Sequence, residues 1–168
     1  AVEAFLAFFP LYGLQVGLGE IRSLSLLTAF GVGGVLLQMP LGWLADHVDK
    51  RRMLLACILL TVLGCMALPS LITLKPVAPI FAFGLGGIEG MIYVMGVILL
   101  GQRFRGVELA TASVVFTTMW GAGTMMGPAV VGLGMDLLGD QVMPFLIAGL
   151  YALYLPVMWV SWRARGSA

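Results

Sequence analysis

Glu89 is the residue whose type and position ask most insistently for a chemical role. It stands about midway along an apolar run from 77 to 101, too deep for its carboxylate to reach water by stretching toward an interface. A charge near the centre of a bilayer costs ~2.5 to 3.5 kcal/mol on insertion scales. A carboxyl placed there serves as a proton carrier, as a counter-charge for a cationic solute, or as hydrogen-bonding glue between helices. Gly86, Tyr93 and Gly96 share its face at helical spacing, leaving it room and a hydroxyl partner. Other polar side chains inside apolar runs include Tyr12, Gln15, Thr28, Gln38, Ser113, Thr117, Thr118 and Thr124. Gln15, Gln38, Glu89 and Tyr93 form the candidate cavity set, for proton or substrate. Glu3 lies near the end of the first run, where water reaches it.

The second concentration of chemistry is polar and exposed in character. Asp46, His47, Asp49, Lys50, Arg51 and Arg52 fall within a few consecutive positions, flanked on both sides by long apolar runs. A charged hairpin between two membrane helices is the natural reading, and Asp46 is suited to accept hydrogen bonds from a helix N-terminus. The lone histidine, His47, supports no metal site. No nucleophile has a base nearby, phosphate loops and zinc spacings are absent, and no cofactor is expected. Gly121-Ala-Gly123-Thr-Met-Met-Gly127 has the wrong spacing for a dinucleotide loop and lies in a membrane run. The chain does not read as an enzyme.

The elements that position these residues follow from composition. Hydrophobic residues make up 61% of the chain and charged residues 10%, with mean hydropathy +1.06, which leaves too little polar surface to clothe a soluble globule. A net charge of +1 gives no reason to expect nucleic acid. Six apolar segments are expected at about 2–19, 24–45, 53–72, 77–101, 108–134 and 142–162, each long enough for a helix. Open sheets are excluded in lipid by the cost of unpaired backbone groups, and no alternating ten-residue strands suggest a barrel. The expected fold is all-α, a single polytopic domain of six transmembrane helices. The absence of an initial Met and the short first run suggest a chain cut at its N-terminus.

Charge fixes orientation. Lys50, Arg51, Arg52, Arg103, Arg105, Arg163 and Arg165 lie on one side of this arrangement, against Arg22 and Lys75 on the other. The positive-inside rule then makes the loops 46–52 and 102–107 and the C-terminal tail cytoplasmic. Trp43, Trp159 and Trp162 fall near the same ends, where indole rings favour the headgroup level; Trp120 does not. Cys57 and Cys65 are roughly 12 Å apart along one helix and cannot pair. Gly86 and Gly90, and Gly123 and Gly127, are small-xxx-small pairs that let helices approach closely. Pro128, after Gly127, is the expected bend. The runs 53–72 and 142–160 are nearly featureless and expected to face lipid; the other four are expected to line whatever is wet.

Gly42-Trp-Leu-Ala-Asp46-His-Val-Asp-Lys50-Arg51 resembles the cytoplasmic loop motif of the major facilitator superfamily, Gly-x-Leu-Ala-Asp-Arg-x-Gly-Arg-Lys. His47 and Asp49 depart from it, and Asp49 replaces the glycine of the turn. Gly121 to Gly139 is similar to the eleventh helix of many such transporters. Glu89-Gly-Met-Ile-Tyr93, Gln102-Arg103-Phe104 and Glu108-Leu-Ala110 resemble the tenth-to-eleventh helix region, particularly in the bacterial inner-membrane branch with YcaD-like transporters.

The resemblance implies the C-terminal half, helices seven to twelve, of a twelve-helix secondary transporter. Such a transporter moves a small solute by alternating access, with or without a coupled proton. It further implies a missing N-terminal half or a second copy as partner. Gly42, Asp46, Lys50, Arg51 and Arg103 would form a cytoplasmic latch, with Gly123, Gly127 and Pro128 serving packing or gating. The rival reading is a noncatalytic membrane interaction or assembly subunit, or a six-helix homodimer.

Overall fold

The computed structural model describes residues 2–156. Seven α-helices follow one another: α1 Val2–Gln15, α2 Glu20–Leu36, α3 Gln38–His47, α4 Lys50–Leu71, α5 Ala78–Arg103, α6 Gly106–Leu138 and α7 Met143–Ala152, with a 3-10 turn at Asp140–Val142 before the last. Among the described residues there is no strand. Helices α4, α5 and α6 are long and apolar enough to cross a membrane, and α2 with α3 makes a fourth span if the bent pair is counted as one. Trp159, Trp162, Arg163, Arg165 and the far end of the sixth expected segment lie outside the described residues.

Local sequence explains most of the boundaries. Asp49 caps α4, its Oδ1 accepting from the backbone N–H groups of Arg51 and Arg52 at 3.1 and 2.9 Å. Its φ of −62° and ψ of 118° are extended. The position that carries glycine in the loop motif therefore needs no left-handed backbone here, and an aspartate contributes a helix cap instead. Pro79 and Pro144 sit in the first turns of α5 and α7, where the missing N–H costs nothing. Gly17 and Gly139, at φ 77° and 91°, end α1 and α6 in conformations that side-chain-bearing residues resist.

A sharp bend falls at Leu37, where α2 and α3 meet at 41°. Pro40 lies three residues on. It cannot donate to Leu36 O, and its ring crowds that carbonyl, so the ladder breaks there. Pro128, the expected bend, lies inside α6, which runs on through it. At 33 residues, α6 is roughly 50 Å long, longer than a ~30 Å hydrocarbon core, so it tilts or projects beyond it.

Packing centres on α5. Its closest neighbour is α2, and the approach is set by glycines on both sides. A Cβ on Gly33 would lie 1.9 Å from Phe83 O, and one on Gly86 would lie 1.9 Å from Phe30 O. The two backbones are in direct contact, which no residue larger than glycine permits. Gly90 extends the seam, with Gly34 O and Gln38 Nε2 at 3.0 and 3.2 Å from its would-be Cβ.

On the other side, α4 packs against α5 and α7, burying Met53, Leu54, Cys57, Ile58 and Leu68. Both cysteines are free and buried. The featureless fourth helix is thus well covered by protein, while α6 is the least buried of the long helices. The expectation that the runs 53–72 and 142–160 simply face lipid does not describe this packing. Aliphatic side chains suit a protein neighbour and a lipid tail equally, so hydropathy could not separate the two. At the end opposite the charged hairpin, α1 and α6 pack together with Phe8 against Gly132, and Arg22 Nη2 donates to the carbonyls of Ile72 and Thr73 at 3.4 Å.

Gly86→Ala should lower the melting temperature of the detergent-solubilised protein sharply, by the equivalent of about 2 kcal/mol or more from overpacking against backbone. Gly84→Ala, two residues away and facing open space, should leave it unchanged. Equal effects of the two substitutions would show that the seam is not the constraint described.

Candidate functional site

Glu89 lies in α5 eleven residues after Ala78, about 17 Å into the helix. The backbone contact of α2 with α5 closes one side of α5 and α4 covers another, with α7 packed on α4 beyond it. The carboxyl is consequently only 4% exposed. The hydroxyl of Tyr151 on α7 donates to Glu89 Oε1 at 2.7 Å, bridging 62 positions of sequence. Glu89 Oε2 is buried with no partner among the described residues, as is Thr61 Oγ1 on α4. A buried carboxyl with one oxygen held and the other free has a defined orientation and an oxygen whose hydrogen-bonding capacity is unused. That oxygen can carry a proton or accept from a donor arriving in the membrane interior.

The sequence pointed to Tyr93 as the hydroxyl beside Glu89, and the structure supplies Tyr151 in its place. Tyr93 instead packs its ring edge-on against Trp120 at 4.7 Å and beside Phe116 at 5.6 Å, and it is 39% exposed. This cluster also explains Trp120, the tryptophan outside the interfacial belt. Tyr151 left a trace in the sequence, since a phenol on a nearly aliphatic helix must find a partner when it is buried.

Gln15 does not reach this region. It ends α1, and its Nε2 donates to Asp140 Oδ2 in the 3-10 turn, at the end of the bundle opposite the charged hairpin. Gln38 opens α3 and lies across Gly90 on α5, one helical position from Glu89 but exposed. Of the four candidate cavity residues, Glu89 and Tyr93 lie one turn apart on α5, Gln38 meets α5 at Gly90, about 100° round the helix from Glu89, and Gln15 stands apart.

A cavity of about 550 Å³ opens between α6 and the faces of α4, α5 and α7. Tyr151, Tyr154, Trp120 and Thr124 contribute its polar atoms, and none of its lining residues is charged. Thr124 is already satisfied by donating to Gly121 O at 2.7 Å. Gly123 lines this cavity with no atom within 4 Å of a would-be Cβ, so it is not a packing contact here. Gly127 is buried and also lines the cavity, and Pro128 beside it is half-buried.

The charged hairpin is open. Gly42 is half-buried, and Asp46 and Arg51 are exposed, as is Arg103 at the end of α5. Lys50 is half-buried as the first residue of α4. Asp46 engages none of these bases among the described residues. The Arg103 guanidinium sits 5.8 Å from the Phe104 ring centroid. His47 Nδ1 lies 2.8 Å from Trp43 O, with the two rings in contact at 4.5 Å. The acid that does meet a helix N-terminus is Asp49, through the cap described above. Among the described residues no group of His, Cys, Asp and Glu is arranged to hold a metal ion.

This geometry belongs to an all-helical, membrane-embedded protein with a buried carboxyl at mid-span and a charged hairpin at one end. Residues 1–167 match the family model of the Major Facilitator Superfamily, and the chain belongs to that family. It is similar to the uncharacterized MFS-type transporter YfkF of Bacillus subtilis (strain 168), 27% identical over 124 residues, covering 74% of this chain and 32% of that protein. It is also similar to monocarboxylate transporter 12 of Xenopus laevis, 22% identical over 151 residues, covering 88% of this chain and 33% of that one. The chain spans about a third of the length of these curated relatives. No solved structure matches at a significant level.

Tyr151→Phe should destabilise the protein by about 1 to 3 kcal/mol, because it removes a donor and leaves both buried carboxyl oxygens unsatisfied. Paired with Glu89→Gln in a double-mutant cycle read by thermal unfolding, the two substitutions should be non-additive. Additive losses would mean that the two side chains do not interact in the folded protein.

Proposed function

We propose that this chain is the C-terminal half, helices seven to twelve, of a secondary transporter that moves a small solute by alternating access, with Glu89 as its protonatable group. The observation that carries this reading is the Glu89 carboxyl at mid-span, buried, held through one oxygen by Tyr151 and free at the other. Buried acids of this kind in a membrane are costly, and they persist where they move charge or bind it. Family membership supports the transport class. The hairpin motif and the likeness of 121–139 to an eleventh helix favour the C-terminal position, in the YcaD-like bacterial inner-membrane branch. In that reading, loops 46–52 and 102–107 and the C-terminal tail are cytoplasmic.

The transport path on this account runs along α5, past Gln38, Glu89 and Tyr93, with the other wall supplied by a missing N-terminal half or by a second copy. The exposed apolar length of α6, including Val114, Met125, Leu133 and Leu137, is suited to contact with such a partner. The name of the Xenopus relative suggests a monocarboxylate. This half offers no basic side chain in its cavity to pair with one, so a carboxylate would need its counter-charge from the other half. Asp46, with Gly42, Lys50, Arg51 and Arg103, would form a latch that closes against the partner half in one state and is released in the other. The open hairpin here accords with the released arrangement.

The experiment is uptake by the full-length protein in proteoliposomes under an imposed proton gradient, with wild type and Glu89→Gln compared across pH. The substitution should abolish gradient-driven uptake while leaving exchange of unlabelled for labelled solute. Uptake unchanged at every pH would remove Glu89 from the mechanism. A parallel substitution, Asp46→Asn, should shift the balance of inward and outward states in spin-label distances; an unmoved distribution would remove the latch.

A further inference from the structure

We propose, on the reading of Glu89 as the protonatable group, that Thr61 on α4 is its second positioning residue, and that one buried water bridges Thr61 Oγ1 and Glu89 Oε2. Tyr151 then fixes one carboxyl oxygen and the water the other. Thr61 is fully buried, and its Oγ1 has no partner among the described residues. Thr28, Thr111 and Thr118 turn their hydroxyls back onto the carbonyl four residues before, a common resort of threonine inside a helix. Thr61 makes no such bond, which leaves its hydroxyl available to a neighbouring helix.

The packing of α4 places that hydroxyl beside Glu89. Leu54 and Ile58 line the cavity together with Leu150 and Tyr151 of α7, and Thr61 and Cys65 continue the same buried stripe of α4 at helical spacing. A Cβ on Gly64 would lie 2.6 Å from Leu85 Cδ1 on α5. The short connection after Leu71 makes α4 and α5 antiparallel. Three residues back along α4, to Thr61, and four on along α5, to Glu89, therefore reach matching depths, ~4.5 and ~6 Å from that contact. Cys65, one turn from Thr61, is within Coulombic range of both Glu89 and Tyr151. The other titratable group in range of Glu89 is Glu3, in the first turn of α1; α2, α3 and α6 carry theirs in their terminal turns.

Two buried oxygens on facing helices, neither bonded to the other, require a small group that both donates and accepts. Buried waters make two to four hydrogen bonds, a number that Glu89 Oε2, Thr61 Oγ1 and the weakly accepting Cys65 sulfur supply. A divalent cation takes six or more oxygens, which this place does not offer. Ionised, Oε2 accepts from the water; protonated, it donates to the water, which turns to suit with Thr61 as its second partner. Both protonation states are thus satisfied in a core where an unpaired polar group is costly. The water can also leave as the helices move, which a side chain cannot.

The test is the infrared spectrum of the full-length protein in lipid, recorded in ordinary water and in water labelled with heavy oxygen, for wild type, Thr61→Val, Thr61→Ser and Glu89→Gln. Wild type should show, beside the Glu89 carboxylic acid band, a water O–H band that moves with the isotope and shifts again in Glu89→Gln. Thr61→Val, nearly isosteric, should lose the water band and move the acid band to higher frequency. Thr61→Ser should restore both. If no acid band depends on Glu89, the protonatable site itself falls, and its water with it. If that band is present but Thr61→Val leaves it unmoved, or wild type shows no isotope-sensitive water band, only the role of Thr61 is overturned.

Discussion

The backbone contact between α2 and α5 is the constraint on which the rest of this structure depends. In a membrane the lipid tails are as apolar as leucine, so helices are not driven together by exclusion from water. Close approach must come from shape, and here Gly33 and Gly86 let carbonyls sit where a methyl group would otherwise be. That contact fixes the position and rotation of α5. It turns Glu89 away from lipid and toward the packed centre, where α7 can supply Tyr151.

From this follow both the cost and the use of the buried acid. A carboxyl in hydrocarbon is tolerable when its charge is neutralised by a proton or shared with hydrogen bonds. One bond from Tyr151 leaves the second oxygen unclaimed. A fully satisfied network would make a rigid strut; a half-satisfied one is suited to exchanging a proton or ligand as the surrounding helices move. The sparse burial of α6, the least buried of the long helices, is consistent with such movement, because elements that rearrange are drawn from the loosely packed parts of a fold.

Much of this was legible in the sequence, and the divisions are physical. The helical class, the depth of Glu89 and the charged hairpin follow from hydropathy and the cost of charge in lipid, which act on single positions. Gly86 and Gly90 were readable as packing residues because spacing alone places them on one face. Tyr151 could not be assigned to Glu89, since their meeting depends on how α7 and α5 lie together across 62 positions. Tyr93, one turn from Glu89, was the nearer phenol and turned instead to Trp120. A helix break falls beside Pro40, whereas α6 continues through Pro128, because context decides whether a proline interrupts a membrane helix or is absorbed within it. Asp49 carried a plain N-cap signal, an acid ahead of Lys50-Arg51-Arg52, which the comparison with a glycine-bearing motif obscured.

The most direct measurement of the central claim is the infrared carboxyl spectrum of the full-length protein in lipid across pH, recorded for wild type, Glu89→Gln and Tyr151→Phe. The account predicts a carboxylic acid band that titrates in wild type, vanishes with Glu89→Gln, and moves to higher frequency with Tyr151→Phe as its hydrogen bond is lost. If no band depends on Glu89 at any pH, or if Tyr151→Phe leaves its frequency unmoved, the buried pair at the centre of this structure is not the protonatable site.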